Sequence, residues 1–189
     1  MIKKLTIPVD HGNRNMKTTH FLFTTGLSST DRKPAGREDF LQTDGKYYVL
    51  SDKRIPYQRD KTQDERFSIL TRFAIAKELE RTGQVAEEDV VQVSLPIGVP
   101  PKHYAELADR YREYFLGDGK VQELVYNGRT YHTCIRDVAV YPQAYAAMMT
   151  EGEKIRQIPK AVGIDIGGFT SDFLLMRSGS PCLDYCDSM

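Results

Sequence analysis

Asp10-His11-Gly12-Asn13-Arg14-Asn15-Met16-Lys17 and Asp165-Ile166-Gly167-Gly168-Phe169-Thr170-Ser171-Asp172 follow one scheme: an acid at the end of an apolar run, then glycine, then polar side chains. In the first, Gly12 permits a tight turn with exposed backbone amides, which can cradle phosphate oxygens. Lys17 offers a positive charge to a phosphate, and Asp10 a carboxylate able to organise a hydrated magnesium ion. The same residues also suit an ordinary hairpin turn. In the second, Gly167 and Gly168 let the backbone approach a ligand closely, Thr170 and Ser171 supply hydroxyls, and Asp165 suits a magnesium–water site. Asp172 either caps or braces the turn. Here the competing reading is a plain Gly-Gly hairpin.

Both loops read as strand, acid, glycine turn, strand. Two such hairpins, one from each half of a molecule, can pinch a triphosphate and its metal between them.

The elements that must position them are legible as follows. Residues 3–9 read as a strand, and 19–23 as a second one making a hairpin across the first loop. Residues 24–60 are polar and broken, and read as a loop-rich insertion with a short strand candidate at 47–50. A capping box, Thr62 to Glu65, opens a helix carrying Phe67, Leu70, Phe73, Ala74 and Leu79, closed by Gly83. A strand at 89–95 leads into a proline loop. Pro101 opens a helix with Tyr104, Leu107, Ala108, Tyr111 and Phe115 on one face and Gly117 at its end. Asn127-Gly128 suits a type I′ turn between two strands. Residues 137–148 read as strand, proline break and helix, and the second loop closes the pattern as strand, turn, strand. This alternation predicts an α/β domain with a mixed sheet.

The 189 residues are 40% hydrophobic and 28% charged, which suits a globular chain. Lys+Arg and Asp+Glu both number 26, so net charge argues for neither direct nucleic-acid binding nor an anionic membrane. No apolar run reaches a membrane span, and the N-terminal apolar stretch is too short for a signal peptide, so the expected compartment is the cytoplasm. Cys134, Cys182 and Cys186 read as free thiols, with no second pair to complete a zinc site. His11, His20, His103 and His132 show no ligand spacing, and Glu87-Glu88-Asp89 reads as a solvated turn. No Walker A, dinucleotide glycine fingerprint, nucleophile elbow or zinc-protease motif occurs.

The two loops together resemble the paired phosphate loops of the actin, Hsp70 and sugar-kinase superfamily. Val162-Gly163-Ile164-Asp165 running into Ile-Gly-Gly-x-Thr-x-Asp is typical of its second loop. IPVDHGNRNMKT, DKTQDERFSILTRFAIAKEL, SLPIGVPP and DVAVYPQAYAAM carry a closer resemblance, to the N-terminal region of bacterial and plasmid actin-like proteins of the ParM/StbA type. The resemblance implies an actin-like (ribonuclease H-like) fold. It places Asp10, Gly12, Asn13 and Lys17 in the first phosphate loop and Asp165, Gly167, Gly168 and Thr170 in the second. Asp165 then acts on the metal or the catalytic water, and Asp10 and Asp165 hold Mg²⁺ through water. Gln143, after Tyr141-Pro142, takes the place of a residue that orients the attacking water; without the family it reads as a polar residue opening a helix.

The implied function is an ATPase that polymerises with ATP (or GTP) into filaments and segregates plasmid DNA through a DNA-bound adaptor. A small-molecule kinase and a non-enzymatic scaffold are the alternatives. The implied organisation is a first domain over 1–158, with a connecting helix about 143–154. Residues 159–189 then form the opening hairpin of a second, truncated domain, short of its sheet partners. On that reading this stretch alone hydrolyses little ATP.

Overall fold

The structure, a computed structural model, describes residues 1–36 and 39–188. β1 (Ile2–Thr6) stops short of the first acid, and Val9 continues it as a single bridge to Ile97. β2 (Asp10–His11), β3 (Asn15–Lys17) and β4 (Leu22–Thr24) then make a small antiparallel sheet. The expected second strand at 19–23 is thus replaced by two. One of them lies inside the predicted turn, where Met16 is fully buried and ties the loop to the core.

The stretch 24–60 is not a loop-rich insertion. It supplies β5 (Leu27–Thr30), β6 (Phe40–Thr43) and β7 (Lys46–Leu50) to the main sheet. Leu41 and Tyr48 reach the core from it. Asp44 and Gly45, at φ 51° and 76°, form the β6–β7 turn with the positive φ pair that tight hairpins require.

α1 (Arg66–Thr82) buries Phe67, Leu70, Phe73, Ala74 and Leu79 as its spacing predicts. Its capping box does not form. The Thr62 hydroxyl donates to Asp60 at 2.7 Å, and Asp64 instead accepts the Arg66 N–H at 2.9 Å. Gly83, at φ 60°, closes the helix.

β8 (Val90–Val99) runs past the expected end at 95 and through Pro96. The imide nitrogen and carbonyl of one strand residue face the same side, and the Pro96 carbonyl accepts from Val9 at 3.0 Å. The missing donor therefore faces β1, whose ladder has already ended at Ser94. Val91, Val93, Leu95, Ile97 and Val99 form the buried face. A 3₁₀ turn (Pro101–His103) opens α2 (Tyr104–Leu116), whose Leu107, Ala108, Tyr111 and Phe115 face the core. β9 (Gln122–Tyr126) and β10 (Arg129–Pro142) join through Asn127-Gly128, at φ 51° and 88°, as the sequence predicts.

The main sheet has the order β1-β8-β10-β9-β6-β7-β5, with β1, β8 and β10 parallel and the rest antiparallel. This is the predicted mixed sheet with flanking helices. Pro142 is the last residue of β10 rather than a break before a helix. In place of one connecting helix over 143–154 stand α3 (Tyr145–Met149) and α4 (Gly152–Gln157).

β11 (Lys160–Ile166) and β12 (Ser171–Arg177) form the final hairpin, and β13 (Ser180–Pro181) and β14 (Asp187–Ser188) pair with β12. The hairpin therefore finds sheet partners within the described residues. A second, small core of Ile155, Leu174 and Met176, lined by Met148, Met149 and Ala161, fastens it to α3 and α4. Gly163 makes this contact possible, since a β-carbon there would lie 2.5 Å from the Met148 sulfur.

Candidate functional site

Asp10 and Lys17 are cross-strand partners in the β2–β3 pair, and their side chains form a 2.9 Å ion pair at the base of the first loop. That hydrogen bond raises the Lys17 ammonium above its usual range, with Asp165 adding to the rise. Between them the loop folds back sharply. A β-carbon on Gly12 would fall 2.5 Å from the Asn15 carbonyl oxygen, so only glycine fits. The Gly12 carbonyl accepts from the Thr25 hydroxyl at 2.6 Å, and the Asn13 side-chain oxygen accepts the Gln58 N–H at 3.1 Å. Asn13 thereby braces the loop against the segment before α1.

The second loop is the tip of the β11–β12 hairpin. Its turn closes by a 2.8 Å bond from the Gly167 N–H to the Thr170 carbonyl. A β-carbon on Gly168 would come within 2.7 Å of the Arg14 side chain, so the two loops touch. Asp165 and Asp172 stand opposite each other in register. Asp172 is 4% exposed and accepts a hydrogen bond from the Ser188 hydroxyl, so it braces the hairpin from below. Burial raises its carboxyl above the usual range; the Ser188 bond opposes the rise and Asp165 adds to it.

Gln143 follows β10 directly. Its N–H donates to the Val99 carbonyl at 2.8 Å, and its Cγ would stand 3.2 Å from a β-carbon on Gly98. Gly98 thus gives Gln143 room beside β8. Ala144, at φ 66°, turns the chain from there into α3.

All nine residues singled out by sequence line one cleft of about 600 Å³: Asp10, Gly12, Asn13, Lys17, Gln143, Asp165, Gly167, Gly168 and Thr170. Sequence reasoning missed the rest of its wall. Arg59, Lys61, Lys102 and His103 enter from the segments before α1 and α2. The Arg59 guanidinium donates to His103 Nδ1 at 2.9 Å, and burial and Arg59 together lower that imidazole's pKa. Lys102 pairs with Asp187 at 2.6 Å, tying the start of α2 to β14. At the mouth, Phe169 lies 5.9 Å from Tyr57, with the Arg54 guanidinium 4.8 Å from its ring. Lys61 is 3% exposed, and burial pulls its ammonium down to about 8, against the opposing pull of Asp10 and Asp172. No spacing rule marks these residues, because tertiary packing brings them to the loops.

The cleft combines two glycine turns, several cations and paired carboxylates. Backbone amides and ammonium groups suit phosphate oxygens. Asp10 and Asp165 are carboxylates in the cleft lining that could hold a metal. No group of three or more metal-binding side chains occurs among the described residues. Magnesium keeps several waters and binds through one or two carboxylates and substrate phosphates, so Asp10 and Asp165 beside a phosphate could hold it. No helix among the described residues is long and apolar enough to cross a membrane.

Comparison with known proteins agrees with this architecture. The crystal structure of apo pSK41 ParM matches with a TM-score of 0.77 at 13% identity, over 99% of this chain and 66% of that one. The AlfA filament bound to AMPPNP matches with a TM-score of 0.72 at 14% identity, over 98% and 70%. Ta0583, an archaeal actin homolog in complex with ADP, matches with a TM-score of 0.74 at 17% identity, over 98% and 60%. The chain thus spans between 60% and 70% of the length of these three structures. No curated protein sequence matches it. The family described as actin like proteins N terminal domain matches residues 8–145, which include the first loop, every strand of the main sheet but β1, and Gln143. With that match covering most of the chain, and with the fold to agree, the protein belongs to the actin-like proteins and carries their N-terminal domain.

Proposed function

We propose that this chain is the N-terminal part of an actin-like ATPase whose nucleotide-dependent filaments segregate plasmid DNA. The observation that carries the reading is the meeting of the two acid–glycine loops over one cleft, with Gln143 in its wall. The backbone amides of Gly12–Asn15 and Gly167–Thr170 would hold the phosphates, and Lys17 and Arg14 would balance their charge. Asp10 and Asp165 would hold a hydrated magnesium ion, which supplies neutralisation of charge on the phosphates. The Gln143 amide cannot take a proton, but it can align a water with the terminal phosphorus. Its backbone anchor to Val99 limits how far that amide can stray.

Self-association is supported by the fold shared with proteins solved as filaments. The equal counts of basic and acidic residues suit contact with DNA through a separate adaptor. The test is magnesium-ATP-dependent sedimentation and light scattering of the complete gene product, with phosphate release followed in parallel. Polymer and phosphate with ATP support the reading. Neither at high protein concentration rejects it.

A further inference from the structure

Of the described cations that line the cleft, Arg14, Lys17, Arg59, Lys61 and Lys102, Lys61 alone is buried, and no carboxylate pairs with it. Lys17 is paired with Asp10, Lys102 with Asp187, and Arg59 donates to His103. Lys61 forms no ion pair within 4.0 Å among the described residues, although it is 3% exposed. Its Nζ has one hydrogen-bond acceptor, the His11 carbonyl in the first loop, and otherwise faces the Phe67 ring at 5.5 Å. An ammonium carries three donors, so two remain for a ligand in the cleft that Lys61 lines. A buried charge without a partner is costly, and an anion arriving in the cleft removes that cost.

The backbone around Lys61 is held firmly. Its N–H donates to the Tyr111 hydroxyl at 3.1 Å, and that hydroxyl donates to the Arg59 carbonyl at 3.4 Å. Asp60 is fixed by Thr62 at 2.7 Å and by Arg110 at 2.5 Å. α2 therefore sets where the ammonium sits: at the His11–Gly12 peptide, on the side of the cleft shared with Asp172. A rigid donor is worth most where charge develops during a reaction, because it need not reorganise.

We propose that Lys61 is a catalytic residue that places its ammonium on the terminal phosphate of the bound nucleoside triphosphate. The proposal rests on the ATPase reading above. In the step it serves, a water oxygen forms a bond to the terminal phosphorus. The bond from that phosphorus to the bridging oxygen breaks, and its electron pair stays on the diphosphate. The proton lost by the water passes to the released phosphate. Lys61 neutralises charge on the phosphoryl oxygens throughout and neither gives nor takes a proton.

The test uses the complete gene product with Lys61→Met and Lys61→Arg. Met keeps the length of the side chain and removes the charge, so folding is retained and the melting temperature stays level or rises. The readouts are single-turnover phosphate release with magnesium-ATP and the separate affinities for ATP and ADP. Lys61→Met is expected to slow phosphate release on the order of 100-fold, as loss of one positioned charge does elsewhere. It should weaken ATP about tenfold while leaving ADP within about twofold, and Lys61→Arg should recover part of the rate. Release within about twofold of the parent, or equal loss of ATP and ADP binding, overturns the proposal. If the parent itself neither binds nor hydrolyses magnesium-ATP, the ATPase reading fails first, and Lys61 falls with it.

Discussion

Gly168 lies against Arg14: a β-carbon on the glycine would come within 2.7 Å of the arginine's Cβ and Cδ. The tips of two hairpins separated by some 150 residues of chain are therefore in contact, and the cleft beneath them depends on that contact. Gly168→Val would push the loops apart without touching either core. Binding of magnesium-ATP, followed by fluorescence titration, should weaken about tenfold, a cost of about 1.4 kcal/mol. The melting temperature should hold. Undiminished binding would show that the loops do not share a ligand.

Gln143 is expected to act on hydrolysis more than on binding. Gln143→Ala should slow phosphate release on the order of 100-fold with nucleotide affinity unchanged, since its amide only aligns the water. Pre-steady-state release alongside a binding titration separates the two. Equal loss in both would make Gln143 a binding residue.

Gly12→Ala probes the first loop. Its β-carbon would meet a backbone oxygen at 2.5 Å, which a side-chain rotation cannot relieve. The expected cost is about 1–3 kcal/mol of stability, read by urea melts, together with loss of magnesium-ATP binding. A variant of parental stability and affinity would remove the steric argument.

His11 predicts a pH dependence. It is fully buried, stacked on Phe115 at 4.5 Å, with Nε2 at 2.7 Å from the Thr71 hydroxyl and Nδ1 without a partner. Burial first, and the Lys61 charge second, hold its pKa well below the ordinary 6.5. The unfolded chain then binds a proton that the folded chain refuses. Stability is complete above pH 6.5 and falls as the pH drops below it, at up to about 1.4 kcal/mol per pH unit. Urea melts between pH 7.5 and 5 should show this slope, and His11→Gln should flatten it. An unchanged slope in the variant would assign the acid sensitivity to other groups.

Both helices with long apolar stripes, the Asn127-Gly128 turn and both loops were legible because their signals are local. The misreadings share a cause. Thr62 and Glu65 have the capping-box spacing, yet Asp60 captures the threonine hydroxyl. The strand candidate at 47–50 is β7, but residues 27–43 look like loops, because β5 and β6 are only four residues long; β6 becomes visible only when it pairs with β7 and β9. Pro96 and Pro142 look like strand breakers, yet one faces a ladder that has ended and the other closes its strand.

By itself the sequence determined where the two loops lie, since the acid and glycine of each, and the lysine of the first, fall within eight residues of one another. Through the family resemblance it also singled out Gln143, which lines the same cleft. Only the tertiary structure decided that the loops share one cleft, and that Arg59, Lys61, Lys102 and His103 stand in its wall. The physical reason is distance along the chain. Packing of α1, α2 and the final hairpin brings together residues from 10 to 188, and no spacing rule reaches that far.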